Sequence, residues 1–108
     1  MDRGDIYWVD IPDRTPEGRE ITKSRPCIVI SVPALNKARS TVVMLPLTSN
    51  AKAAPPIALF TPSAGKDSVA VCDQLLAVDK RRIRNKAGQL SQKDREAVDD
   101  SLRMLLGL

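Results

Sequence analysis

Residues 23–31 read KSRPCIVIS: Lys23 and Arg25 on either side of a serine, a proline, then a run of small and β-branched apolar residues. β-Branched side chains are stiff and suit a pleated surface, so residues 26–31 form a strand, and the absence of polar alternation predicts burial on both faces. Arg25 then stands where a polar segment enters that strand, a permanent cation held by a rigid element at the rim of the core. Residues 42–50, VVMLPLTSN, repeat the design, with a third strand over 40–47 running out into Thr48, Ser49 and Asn50. Two buried strands with polar ends make a frame on which chemistry on an anion can be mounted.

Working outward, residues 5–10 (DIYWVD) form a short strand with Ile6 and Trp8 on one face and Tyr7 and Val9 on the other, and Trp8 is expected in the core. Residues 11–24 (IPDRTPEGREITKS) lose all periodicity and read as an irregular loop, a lid or substrate-contacting arm that carries Arg19, Glu20 and Lys23 up to Arg25. A short helix with Pro33 at its first position fits residues 32–38, and a short strand fits 57–60 before a turn through Pro62 and Gly65. Residues 67–79 are apolar in two pieces. Asp73 and Gln74 interrupt them, which marks a strand bend, an interface or a site, because buried polar groups need partners. Residues 80–86, KRRIRNK, put five cations in seven positions, either a solvated turn or a phosphate-contacting patch.

The last segment is the clearest helix, capped by Ser91 with Asp94 three residues on, and apolar at Val98, Leu102, Leu105 and Leu106. Short strands, long turns and one closing helix give a mainly β fold with short helices, an SH3-like barrel closed by a C-terminal α-helix, in a single domain over residues 1–108.

Composition narrows the chemistry. The 108 residues are 43% hydrophobic and 28% charged, no apolar run approaches a membrane span, and no targeting segment opens the chain, so a soluble cytoplasmic protein is expected. Cys27 and Cys72 sit in apolar runs and read as buried reduced thiols. The absence of histidine removes the usual triads and most zinc sites, so no metal or other cofactor is expected. A net charge of +4 suits a polyanionic partner without requiring one.

Taken in order, RGDIYWVD at 3–10, KSRPCIVIS, PLTS at 46–49, SVAVCDQLLAVDKRRI at 68–83, GQLS at 88–91 and the terminal helix resemble the MazF/PemK family of type II toxin-antitoxin toxins. The resemblance implies the CcdB/PemK/MazF-like barrel, a homodimer and metal-independent, sequence-specific cleavage of single-stranded RNA that inhibits translation of mRNA. It places the catalytic pair on Arg25 and Thr48, and matches Asp73, Gln74, Lys80 and Arg82 to further family positions. With Arg19, Glu20, Lys23 and Ser49 from the arm and the strand end, these make the expected RNA-binding set. A cognate acidic antitoxin is the expected protein partner. One departure stands out: residues 12–23 lack aromatics and carry both charge signs.

Arg25 can meet phosphorane charge with a planar fork but is a poor base, since arginine keeps its proton; Asp73 or Glu20 are the candidate acceptors. Two alternatives use the same barrel: a CcdB-like toxin binding a protein target such as DNA gyrase, and an inactive RNA-binding barrel.

Overall fold

The computed structural model describes residues 1–14 and 20–108, with the backbone alone described at 12–14 and 20–22. Among the described residues, seven antiparallel strands and two α-helices follow one another as β1 (Asp5–Arg14), β2 (Glu20–Val29), α1 (Pro33–Ala38), β3 (Thr41–Thr48), β4 (Ala58–Phe60), β5 (Val69–Val71), β6 (Leu76–Asp79), β7 (Ile83–Gln89) and α2 (Gln92–Leu106). The strands hydrogen-bond in the order β4-β5-β3-β2-β1-β7, with β6 also on β3, in a strongly bent barrel-like sheet.

The bend has local causes. Two register irregularities between β1 and β7, one on each side of Tyr7, give β7 extra residues, and such bulges increase twist and curl a sheet. Along β3 the pairing passes from Leu47↔Ala70 to Met44↔Leu76, so residues 71–75 lie opposite only Leu45 and Pro46. Three surplus residues loop out there, and Asp73 and Gln74 are exposed on that loop. Of the three readings of this pair, the strand bend is therefore present.

Alternation along the strands fills both faces. Ile6, Ile28, Leu45 and Leu47 join Leu90, Val98 and Leu102 in one cluster, which α2 covers. Val9, Cys27, Val29, Val42, Met44 and Val78 form the other. β2 and β3 are thus buried on both sides, as the lack of polar alternation predicts. α2 starts where Ser91 Oγ accepts a hydrogen bond from Asp94 N–H at 3.2 Å and stops at Gly107, in the left-handed region with φ 71°. Of its apolar stripe, Val98 and Leu102 are buried while Leu106 is exposed.

The tripeptide Arg3-Gly4-Asp5 is structural. Arg3 donates to Ile30 O at 2.7 Å and pairs with Asp99 of α2, and Asp5 accepts from Asp2 N–H at 3.0 Å. Gly4 has φ 90°, and a Cβ there would lie 3.0 Å from Arg95 Cδ.

Three expectations are corrected. Most of the loop expected over residues 11–24 is strand: the pairs Ile11↔Lys23, Pro12↔Thr22, Asp13↔Ile21 and Arg14↔Glu20 extend β1 and β2 into a long hairpin. Backbone pairing holds that hairpin, so side-chain periodicity could not announce it. Half of the expected basic turn is the edge strand β7, whose outward polar residues carry no apolar signal. Trp8 is 42% exposed, not core, although Ile6 on the same strand face is buried.

Candidate active site

Register brings Arg25 and Thr48 together. The β2–β3 ladder runs Val29↔Met44, Ile28↔Leu45, Cys27↔Pro46, and Arg25 and Thr48 each lie two residues beyond its last pair. Alternation then puts both side chains on the strand face of Cys27, Val29, Val42 and Met44, at the open end of that core. β1 closes the arrangement, with Val9 opposite Arg25 and Trp8 opposite Pro26.

Two cavities meet at this point. One, of about 380 Å³, is lined by Trp8, Lys23, Ser24, Arg25, Pro26, Leu47, Thr48, Ser49, Asn50 and Ser68. The other, of about 620 Å³, is lined by Ile11, Arg25, Pro46, Leu47, Thr48, Gln74, Leu75 and Leu76 among others. Arg25, Leu47 and Thr48 belong to both and form the ridge between them. A third hollow of about 200 Å³ shares Ile11 and Leu76 with the second and ends at Asp79 and Arg82. The three make one track across the barrel mouth.

The ridge is electrostatically distinctive. Arg25 is half-buried, and among the described residues its guanidinium has no ion pair or hydrogen bond. Thr48 Oγ1 accepts from Asn50 N–H at 3.2 Å, which occupies a lone pair and leaves the hydroxyl proton free to be donated. A cation beside a hydroxyl donor, between two hollows, is suited to a phosphate diester whose two nucleotides fall on either side.

The other expected residues divide. Lys23 and Ser49 line the first cavity, Gln74 the second and Arg82 the third. Asp73 is exposed beside Gln74 but lines none of these walls, and Lys80, at the far end of β6, lines none either. Arg19 lies outside the described residues, and Glu20 is described only by its backbone, opposite Arg14. Along β2, five residues of strand, about 17 Å, separate the Glu20 backbone from that of Arg25. Trp8 is the wall residue missed by the sequence reading.

The cysteines are excluded as nucleophiles. Burial pushes the Cys27 thiol up to about 11 against the opposing pull of Arg25, and burial with the charge of Asp73 pushes Cys72 to about 11. Of the basic run, Arg81 is held by Asp79, Arg84 by Asp10 and Lys86 by Asp5. Lys80 and Arg82 have no such partner among the described residues.

Fold and site together define a small antiparallel barrel that holds a fixed cation and a hydroxyl between two hollows. Comparison with known proteins makes this particular. The profile of the PemK-like, MazF-like toxin of type II toxin-antitoxin system matches residues 2–106. Endoribonuclease MazF2 of Mycobacterium bovis is 32% identical over 114 residues, covering 100% of this chain and 98% of its own length. Endoribonuclease MazF of Staphylococcus saprophyticus is 31% identical, covering 100% and 92%. A MazE-MazF crystal structure from Deinococcus radiodurans aligns with TM-score 0.80 at 26% identity, covering 100% of this chain and 97% of the other. The chain belongs to the PemK-like, MazF-like toxin family of type II toxin-antitoxin systems.

Proposed function

We propose that this toxin-family endoribonuclease cuts single-stranded RNA at the Arg25–Thr48 ridge by internal attack of a ribose 2′-hydroxyl on the adjacent phosphate. The 2′-oxygen bonds to phosphorus and the bond from phosphorus to the 5′-oxygen breaks, leaving a 2′,3′-cyclic phosphate and a 5′-hydroxyl. One proton leaves the 2′-oxygen and one is gained by the 5′-oxygen, so none is consumed. Arg25 meets the charge that grows on the non-bridging oxygens, and Thr48 donates a hydrogen bond to one of them. No carboxylate lines the two cavities among the described residues, and in this reading the 2′-proton passes to solvent, which returns one to the 5′-oxygen. Because Arg25 supplies the countercharge, the step runs without a metal. The observation that carries this reading is the half-buried guanidinium, unpaired among the described residues, on a ridge shared by two hollows.

Around the ridge, Lys23, Ser49, Gln74 and Arg82 hold the strand along the track. Arg19, Glu20, Asp73 and Lys80 complete the RNA-binding set and the choice of cut sequence. The working unit is a homodimer of one toxin domain, residues 1–108, acting on mRNA in the cytoplasm. A groove of about 370 Å³ with Ile30, Val43, Leu75, Leu102, Leu106 and Leu108 on its wall, rimmed by Arg3, Asp99 and Arg103, supports self-association. An acidic antitoxin segment inhibits by competing for the cationic track; the Deinococcus MazF is solved with MazE. No helix among the described residues is long and apolar enough to cross a membrane.

Incubating the protein with long mixed-sequence RNA in EDTA tests the reading. Cleavage is expected to persist, and a substrate with hydrogen in place of the 2′-hydroxyl at the cut should bind and stay intact. Loss of activity in EDTA, or normal cleavage of the 2′-deoxy substrate, would overturn the mechanism. An RNA bound but never cut would favour the inactive RNA-binding barrel. Indifference to RNA would favour the protein-target toxin, which the endoribonuclease relatives argue against.

A further inference from the structure

The chain has one tryptophan, and the fold leaves it at the surface. Trp8 is 42% exposed on a strand face whose neighbour Ile6 is 3% exposed, so its position is not one the core requires. Its cross-strand partner is Pro26, the residue after Arg25, and it walls the first cavity together with Arg25, Thr48, Ser49 and Asn50. That hollow, about 380 Å³, is at the small end of ligand sites, enough for one nucleotide and not for a peptide helix. Its remaining wall is mostly polar, which would leave groups unpaired against a purely apolar partner. A nucleobase satisfies both parts, with a π-face for the indole and hydrogen-bonding edges for the serine and asparagine.

We infer that Trp8 is the stacking platform for the base of the nucleotide adjoining the cut phosphate, on the opposite side of the ridge from Arg82. The inference rests on the ribonuclease reading above. A phosphate seated at Arg25 delivers one neighbouring nucleotide into the Trp8 cavity and the other towards the track that ends at Arg82. Stacking tolerates any base, so Trp8 contributes affinity and placement, while Ser49 and Asn50 can meet the base edge.

Because Trp8 is the only tryptophan, its emission reports on this contact alone. The cut is first mapped on mixed-sequence RNA; short oligonucleotides spanning it, with a 2′-deoxy residue at the cut, are then titrated by fluorescence and anisotropy. Trp8 emission should be quenched by the intact oligonucleotide. An abasic substitution should abolish the quench only at a nucleotide adjoining the cut. Trp8→Ala should weaken binding roughly tenfold to hundredfold with unchanged melting temperature, and Trp8→Phe, which keeps a π-face, should recover most of the loss. If RNA is bound and cut but emission does not change, or the quench survives every abasic position, the stacking role is wrong and the ribonuclease reading stands. If RNA is neither bound nor cut, the ribonuclease reading fails and the stacking role with it.

Discussion

This chain gathers cations at two places, the ridge at Arg25 and the edge over residues 80–86, and the two are built in opposite ways. At the edge, the Arg81 side chain makes two hydrogen bonds to Asp79, at 3.1 and 3.0 Å; Arg84 Nε lies 2.5 Å from Asp10, and Lys86 Nζ lies 3.4 Å from Asp5. At the ridge, Arg25 has no carboxylate among the described residues, and two cavities open on it. Charge already met by a neighbour is largely unavailable to a ligand, and exposed pairs contribute at most about 1 kcal/mol to stability. An unpaired, half-buried cation is what an incoming phosphate can use. Density of lysine and arginine along a sequence is therefore a poor guide to where an anion is handled.

The sharpest way to break this contrast is to remove each kind of cation in turn. Arg25→Ala should lower the cleavage rate by roughly 10² to 10³, the effect of losing one preorganised donor at a developing oxyanion. Arg25→Lys should recover little, because a point charge cannot reproduce the fork. Arg84→Gln, at a paired position, should leave the rate near wild type. Single-turnover kinetics on a mapped substrate decide the matter, and equal losses at both positions would erase the distinction.

Thr48→Ala comes next. A hydroxyl donating to a charged acceptor is worth about 1.5 to 3 kcal/mol, so cleavage should slow by roughly tenfold to a hundredfold. Thr48→Ser should be milder. Thr48 ends its strand half-buried, so the melting temperature of either variant should move little. A large fall in stability with unchanged rate per folded molecule would make Thr48 a structural residue instead.

How much of this was legible beforehand follows from the same contrast. Arg25 and Thr48 could be singled out because each follows or precedes an uninterrupted apolar run, and such runs fix buried strands whose ends are rigid. The two-faced burial of β2 and β3, the Ser91 cap and the inert cysteines are equally local consequences of residue type. What escaped depends on partners distant in sequence. Residues 11–14 and 20–24 are strand because their backbones pair with each other, a cause with no side-chain period. The pairings of Arg84 with Asp10 and Lys86 with Asp5 arise only when β7 is laid against β1. Trp8 looked like core because its strand alternates correctly; only its place at the open end of the sheet shows that it is left partly exposed.

The edge itself contains an internal contrast that a salt titration can sharpen. Arg82 reaches the end of the track near the Asp79 charge but in no ion pair among the described residues, while Arg81, Arg84 and Lys86 each have one. Arg82→Gln should weaken binding of an uncleavable RNA for every sequence and flatten the plot of log affinity against log salt by about 0.7, the value for one phosphate contact on a single strand. Arg81→Gln and Arg84→Gln should leave that slope nearly unchanged. Equal flattening by all three would mean that the carboxylates release their cations to RNA.

The smallest effect expected belongs to Asp79, and its dependence on pH shows whether Arg81 is engaged by the fold. The Asp79 carboxyl is lowered from 3.8 to about 2, first by the side-chain hydrogen bond from Arg81, then by the Arg81 backbone N–H, which it accepts at 2.9 Å. The ionised form is thus the one favoured by folding. A carboxyl whose folded pKa lies below its unfolded value adds stability above the unfolded value, and that contribution disappears as pH falls through the folded one. Asp79→Asn should therefore melt slightly below wild type at pH 7, with a gap that holds down to about pH 4 and closes as pH approaches about 2. Arg81→Gln should show a smaller gap over the same window, because it removes the side-chain pair and keeps the backbone N–H that Asp79 also accepts. A gap that persists unchanged to pH 2 would trace to the shape of the turn over residues 80–82 and not to its charge. No gap at pH 7 in either variant would mean that Arg81 is not committed to Asp79, and it would then have to be counted with Arg82 among the cations open to RNA.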